Sequence, residues 1–370
     1  MNKKLKIAII GSRGYPYVYS GYETLVRELS ERLANKGHHV KVYCHRSLFI
    51  NKPKFINGIE LVYTPSIETK FLSQISNSFF SFIHVCFSDT DVVLVVNSAN
   101  GPFGFLTKIF QKKTCINVDG LEWLRPKWKG LGSLYFKLSS KMATIFFDKI
   151  INDSKEMRKV YLKLFNTDST VISYGAKVKK SSKPSLIKLW NLKKLDYYLI
   201  IGRLIPDNNA DMLVKGFLST KTCKKLVIVG DVKYKDQYAT NLKSIDDDRL
   251  IFTGYIENQD ILSELYHNCY VYLHGHEFGG TNPTMIKAMA YGTAILALTT
   301  PFNKEMLQNN KFGLFFKKNI ESLANLINLC EKDPAMVLNM KKNSVKGISN
   351  IYNWDYITNQ YLDLFNELVS

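Results

Sequence analysis

The sequence predicts an α/β protein made of two doubly wound, parallel-sheet domains. Three observations predict it. Short apolar runs alternate with amphipathic helical stretches almost throughout. The alternation stops at the polar, basic segment 177–184 and then restarts. At 370 residues, with 46% apolar residues, the chain exceeds one typical domain and can fill two cores. Two such sheets joined by one linker place a ligand cleft between their carboxyl ends.

The elements follow in order. Lys6-Ile7-Ala8-Ile9-Ile10 reads as a strand closed by Gly11. Glu23 to Lys36 reads as a helix, with Leu25, Val26, Leu29 and Leu33 on one face and Gly37 as the stop signal. Val40 to Cys44 is the next strand, and Val92 to Val96, Thr114 to Val118 and Lys149 to Asn152 are further strands between helical stretches. Val171-Ile172-Ser173 reads as the last strand of the first half. After the linker come strands at Tyr197 to Ile201, Leu226 to Val229, Leu250 to Phe252, Tyr270 to Leu273 and Ala294 to Leu298. Helices are expected near Ala210 to Leu218, near Asp260 to His267 and from Pro283. The expected domains are therefore residues 1–180 and 185–350. An amphipathic helix within 351–370, carrying Ile357, Tyr361, Leu362, Leu364, Phe365 and Leu368, is expected to pack back on the first domain.

Charge is uneven. Residues 1–180 hold 28 Lys+Arg against 13 Asp+Glu, a net of +15, which leaves +3 of the total +18 for the remainder. A basic first half points to an anionic partner such as phospholipid headgroups or a lipid diphosphate. Trp123-Leu124-Arg125-Pro126-Lys127-Trp128-Lys129 and Leu134-Tyr135-Phe136-Lys137 interleave aromatics with cations, which suits either a membrane interface or a solvated basic surface with a few core aromatics. No nucleic-acid module is recognisable, so nucleic acid is not an expected partner. The most apolar window, Phe71 to Phe87, is broken by Ser73, Gln74, Ser76, Asn77, Ser78 and His84 and does not read as a membrane span. The six cysteines show no metal-ligand spacing and read as reduced core residues of a cytosolic protein. His274 and His276 lack a third ligand, so no metal is expected.

Three constellations carry chemistry. The first follows the strand at Tyr270 to Leu273 and runs His274-Gly275-His276-Glu277-Phe278-Gly279-Gly280-Thr281-Asn282-Pro283. A glycine pair turns the chain, Asn282 caps a helix and Pro283 suits its first position. Strand, glycine turn and capped helix can hold a phosphate or diphosphate; the same pattern also serves as an ordinary α/β turn. The second is Gly202-Arg203-Leu204-Ile205-Pro206-Asp207-Asn208-Asn209, where Arg203 at a strand end is placed to pair with a diphosphate. The third is on the first domain. The loop Gly11-Ser12-Arg13-Gly14 to Gly21-Tyr22-Glu23 is long and aromatic and lacks the dinucleotide fingerprint, which argues against a nicotinamide-dependent oxidoreductase. Beyond it, Asp119 in Val118-Asp119-Gly120-Leu121-Glu122-Trp123 either orients a hydroxyl at a cleft rim or stabilises a turn.

With these motifs together, the chain resembles the retaining glycosyltransferases of family 4, which have the two-Rossmann-domain GT-B architecture. It is most similar to a bacterial subgroup that includes β-1,4-rhamnosyltransferases of capsule and O-antigen assembly. The resemblance rests on Ile10 to Gly14 with Gly21 to Thr24, on Val118 to Trp123, on Gly202 to Leu204 with Pro206 to Asn209, and on Gly279 to Pro283. It implies transfer of a sugar with retention of configuration, from dTDP-L-rhamnose to a lipid-linked saccharide such as an undecaprenyl-diphosphate-linked one. It also implies a metal-independent enzyme without a cofactor, in the cytoplasm at the anionic inner face of the plasma membrane. On the donor side it implies Gly14, Arg203, Asn208, Glu277, Gly279, Gly280, Thr281, Asn282 and Lys287, with Arg203 on the diphosphate and His276 on the donor sugar or phosphate. On the acceptor side it implies Tyr22, Glu23, Asp119, Glu122 and Trp123. Catalysis would rest on Arg203, His276 and Asp119.

Two positions depart from the wider family. Lys287 stands where that family has a glutamate that accepts from the ribose hydroxyls, and lysine offers three donors and no acceptor. Glu277 is nearby in sequence and is the candidate substitute. Asn208 stands where a phosphate-binding lysine is common. The alternatives are a transferase using another UDP or GDP sugar, and a weakened family member acting as a nucleotide-binding scaffold.

Overall fold

The computed structural model describes residues 4–16, 21–69, 72–118, 120–125, 130–232 and 236–370. The chain forms two compact units, residues 1–174 with 354–370, and residues 175–353.

The first unit has eight strands: β1 (Lys6–Ile10), β2 (His39–His45), β3 (Phe55–Ile56), β4 (Ile59–Thr64), β5 (Val92–Val96), β6 (Thr114–Asn117), β7 (Lys149–Asn152) and β8 (Thr170–Val171). Its helices include α1 (Gly21–Asn35), α2 (Leu72–Cys86), α3 (Gly104–Ile109), α4 (Leu131–Phe146) and α5 (Lys155–Phe165). The strand order is β3-β4-β2-β1-β5-β6-β7-β8, and every pairing except β3 with β4 is parallel. Central strands such as Val92–Val96 are buried along their whole length because helices cover both faces. Right-handed crossovers put α1 on one face and α2, α3 and α4 on the other. The packing agrees: α2 lies against α3, and α3 against α4.

The second unit has β9 (Tyr197–Ile201), β10 (Lys225–Val229), β11 (Leu250–Gly254), β12 (Val271–His274), β13 (Ala294–Leu298) and β14 (Leu314–Phe316) in the order β11-β10-β9-β12-β13-β14, all parallel. Its helices are α6 (Ala210–Leu218), α7 (Gln237–Lys243), α8 (Gln259–Asn268), α9 (Pro283–Ala290), α10 (Pro301–Met306), α11 (Ile320–Lys332), α12 (Pro334–Ser344) and α13 (Ile348–Ile351). One core gathers Leu199's neighbours Tyr198 and Ile200 with Phe217, Leu273, Leu296 and Phe316.

The last helix, α14 (Trp354–Val369), belongs to the first unit. It buries Trp354, Ile357, Tyr361, Leu364 and Phe365, and lies beside α1. Asn117 Nδ2 donates to Tyr361 Oη at 3.0 Å, and Arg32 pairs with Asp355 at 2.9 Å.

Segment 177–184 is not a free tether. Glu264 on α8 accepts from Ser181 Oγ at 2.6 Å and from the Ser182 and Lys183 amides at 2.7 Å each, which ties the segment to the second unit. The strand expected at Val171–Ser173 is Thr170–Val171 instead. Three strands lie outside the sequence-based expectation: β14, β4 and the antiparallel edge strand β3. The β3–β4 turn is Asn57-Gly58 with φ of 50° and 75°, the left-handed pair that a two-residue hairpin requires.

Candidate functional site

Both sheets reverse direction once. In the second unit the chain runs from β9 out to β10 and β11, then returns to lay β12 on the other side of β9. The loops after β9 and β12 therefore leave adjacent strand ends in opposite senses, and an open α/β sheet binds ligands in the crevice this creates. These loops are 202–209 and 275–282, two of the three sequence constellations.

The crevice is tightly built. Gly202 is needed for close approach: a Cβ there would lie 2.9 Å from His276 Cε1 and 3.2 Å from Asn208 Nδ2. Asn208 is buried and its Nδ2 donates to the Arg203 carbonyl at 2.8 Å, so this amide braces its own loop. Asn209 Nδ2 donates to the Gly275 carbonyl at 2.9 Å, and the Glu277 amide donates to the Asp207 carbonyl at 3.1 Å. These two bonds fasten the loops together. Asn303 on α10 donates through Nδ2 to the carbonyls of His276 at 3.2 Å and Leu298 at 2.8 Å.

Against this rigid floor, Arg203 is exposed, and among the described residues its guanidinium makes no ion pair. It is available to a ligand. Glu277 differs: its carboxylate takes Lys318 Nζ at 2.6 Å and lies 3.5 Å from Asn209 Nδ2. Lys287 sits in the last turn of α9, half-buried, with Nζ 3.4 Å from Gln259 Oε1. A cation there suits the carbonyl end of the helix dipole.

The start of α9 is capped as expected. Asn282 Oδ1 accepts from the Thr284 amide at 3.0 Å and from Thr284 Oγ1 at 2.7 Å. Pro283 brings no N–H and the cap consumes that of Thr284, so the helix start offers an anion mainly its dipole, worth about 0.3–1 kcal/mol. Gly279 takes φ of 112° in the turn before it, while Gly280 and Thr281 are buried.

His274, weighed in the sequence only as a metal ligand with His276, supports the site from beneath its surface. It is fully buried, and burial, reinforced by the neighbouring His276 ring, holds its imidazole neutral with a pKa well below the usual value. Tyr272 Oη donates to Thr284 Oγ1 at 3.0 Å, so it accepts from His274 Nδ1 at 3.1 Å. The His274 ring then stacks on His276, with centroids 4.6 Å apart and planes 16° apart. A hydrogen-bonded chain thus runs from the helix cap to the ring that supports His276.

In the first unit the reversal lies between β1 and β5. Glu23 is buried and its Oε1 accepts from the Arg13 amide at 3.2 Å. Gly14 takes φ of 119°, and the place of its Cβ is filled by Cys44 Sγ at 2.7 Å. Tyr22 is half-buried in the first turn of α1. Glu122 pairs with Arg125 at 3.0 Å. Trp123 packs inward against Phe165, with ring centroids 6.1 Å apart, and is buried. Asp119 lies outside the described residues, as do Lys127, Trp128 and Lys129. Sequence reasoning missed three residues at this edge. His45 is buried, and burial, then the Arg13 charge, push its pKa down to about 4. Gln74 Nε2 donates to the Gly11 carbonyl at 3.1 Å. Asn97, at φ 79° and ψ 120°, accepts from the Ala99 amide through its side chain.

Residues 184–347 match the family described as glycosyl transferases group 1. That match spans the loops 202–209 and 275–282. Residues 84–177 match a domain of unknown function, DUF1972. Among solved structures the chain is similar to sucrose-phosphate synthase from Thermosynechococcus elongatus, at 18% identity, TM-score 0.84 and 99% coverage of both chains. It is also similar to Anabaena HepE in complex with UDP, at 16% identity, TM-score 0.77, covering 98% of this chain and 100% of that one. A glycosyltransferase from Rickettsia africae matches at 16% identity and TM-score 0.73, with 100% coverage of both. These likenesses establish the GT-B fold of the chain. No curated protein sequence matches it. No helix among its described residues is long and apolar enough to cross a membrane.

Proposed function

We propose that the chain transfers a sugar from a nucleotide-diphosphate donor, with retention, to a lipid-linked saccharide in surface polysaccharide synthesis. The observation that carries this reading is the exposed Arg203, unpaired among the described residues, beside the capped start of α9 at the β9/β12 crevice. A guanidinium in this position meets a diphosphate through charge-assisted, bidentate hydrogen bonds. The bond from the sugar's anomeric carbon to the diphosphate oxygen breaks, and charge builds on the departing phosphate. Arg203 and the helix dipole are already in place to stabilise that charge. The acceptor hydroxyl bonds to the anomeric carbon from the same face, and its proton passes to the departing phosphate oxygen. His276, held by His274, would contact the donor sugar or phosphate. Tyr22, Glu23, Asp119, Glu122 and Trp123 are the acceptor-side candidates, Trp123 through its backbone or as packing support, because its ring is buried.

The proposed donor is dTDP-L-rhamnose, on the subgroup resemblance of Gly279 to Pro283. That donor lacks the ribose 2′-hydroxyl, which fits Lys287 in place of an acceptor carboxylate. Glu277 is held by Lys318 and would reach a ribose only by giving up that partner. UDP-glucose is the second donor reading, favoured by the similarity to HepE, which has been solved in complex with UDP-glucose. The protein would work at the inner face of the plasma membrane, where a lipid-linked acceptor is found. The test is turnover of dTDP-L-rhamnose, UDP-glucose and a GDP sugar with a lipid-diphosphate saccharide. Product from the dTDP donor is expected. Turnover of UDP-glucose alone would reassign the donor, and no turnover of any donor by folded protein would leave the scaffold reading standing.

A further inference from the structure

We propose that the α2–α3–α4 face of the first unit is the surface on which this protein rests on an anionic phospholipid bilayer. This rests on the reading above, in which the acceptor is lipid-linked, and assigns the contact to particular residues. The three helices lie side by side on one face of the sheet. Their outward positions should be polar in a helix facing water. Many are apolar instead. Phe80 and Ile83 point outward from α2 and Phe87 lies exposed just after it, Ile109 lies outward at the end of α3, and Leu134 and Leu138 point outward from α4. Phe87 is 76% exposed and Ile109 68%, far beyond the scattered single apolar residues of an ordinary surface. The patch is continuous across the helices: Phe87 meets Phe110 with ring centroids 5.0 Å apart, and Phe105 meets Phe146 at 6.4 Å.

The charges choose the occupant. None of the three helices contains Asp or Glu. Lys108, Lys113, Lys137 and Lys141 lie on or beside them, all exposed, and none makes an ion pair among the described residues. On α5, by contrast, Arg158 pairs with Asp168 and Lys159 with Glu156. An apolar stripe bordered by uncompensated lysines matches an acyl boundary bordered by anionic headgroups. A second copy of this chain fits poorly, because a two-fold interface through this face would set lysines against lysines, and none of the three helices carries a carboxylate to separate them.

The test is co-sedimentation of the full chain with phosphatidylglycerol-containing vesicles and with pure phosphatidylcholine vesicles. The chain should pellet with the anionic vesicles, less at high salt, and at least tenfold less with phosphatidylcholine. The double variants Phe87→Asp/Ile109→Asp and Lys137→Glu/Lys141→Glu should each weaken anionic-vesicle binding at least tenfold. Their circular dichroism and donor affinity should be unchanged, since the replaced side chains are outside both the core and the proposed donor crevice. Failure of the wild-type chain to bind anionic vesicles overturns the proposal. So does a solution dimer that Phe87→Asp/Ile109→Asp converts to monomer while vesicle binding persists. Vesicle binding without donor binding would support this surface and sink the donor assignment; donor binding without vesicle binding would do the reverse.

Discussion

At the carboxyl edge of the first sheet the chain leaves β1 through Gly11, and at the corresponding edge of the second it leaves β9 through Gly202. Both glycines let the backbone press against the strand across the reversal: a Cβ on Gly11 would meet the Val96 carbonyl, and one on Gly202 would meet the His276 ring. The charges at these two edges differ. The first has the buried Glu23, the buried His45 and Glu122 paired with Arg125. The second has an exposed arginine without an ion pair among the described residues, above two stacked histidines of which His274 is neutral. The proposed anion site therefore lies in the less basic half of the sequence. The excess lysine of the first half lies partly on outer helices such as α4, while the nearly balanced half presents Arg203 at its crevice. Bulk charge reports on surfaces; a site is located by topology and by which charges lack partners.

Substitutions can break this comparison. The largest effect on turnover number is expected at His276. His276→Ala should lower kcat about 100-fold, the scale of one positioned polar group in a reacting site, with little change in donor affinity. An equal loss in both would mean that the ring binds donor without acting on the reaction. A smaller effect is expected from Gly202→Ala, whose methyl would press on the same ring. Turnover should fall roughly tenfold with the thermal midpoint nearly kept, as misplacing a catalytic group costs rate before stability. Unaltered turnover would show that His276 can shift freely.

The smallest effect sharpens the first-unit side. His45 faces Arg13, which lowers its pKa, and Glu68 and Glu23, which raise it; burial is the largest influence and the net is about 4. The unfolded histidine binds its proton near pH 6.5 and the folded one does not until about pH 4, so the unfolded state gains protons first as pH falls. Stability contributed by the neutral, buried ring is complete above pH 6.5 and is lost between there and about pH 4. The slope is at most about 1.4 kcal/mol per pH unit for one group. Urea midpoints measured across this range should fall, and His45→Gln should flatten the fall. An unchanged slope in the variant would assign the acid sensitivity elsewhere, with the buried His274 next in line.

The alternation of strands and helices was legible because both sheets are parallel and buried, which leaves dense apolar runs between amphipathic stretches. Boundaries at β1, β7 and β13 were readable to the residue. β14 was not, since Leu314–Phe316 is three residues long and carries no periodicity. The β3–β4 hairpin had a signal, Asn57-Gly58, that the search for alternating helices passed over. Segment 177–184 has the composition of a linker, and only the distant Glu264 shows why it is held. In the crevice the motif residues were readable from strand ends and caps, whereas Asn209, Asn303, Lys318 and the Tyr272–His274 chain act through contacts far apart in sequence. Trp123 looked like part of a surface because cations surround it in sequence; its ring turns inward to Phe165.

The measurement that bears most directly on the donor crevice is a calorimetric titration of the wild-type chain and Arg203→Ala with dTDP-L-rhamnose and UDP-glucose. The account predicts saturable binding of a donor by the wild type and a loss of about 2–4 kcal/mol, roughly 30- to 1000-fold in Kd, in the variant. Equal affinity in both proteins would contradict it and place the diphosphate elsewhere.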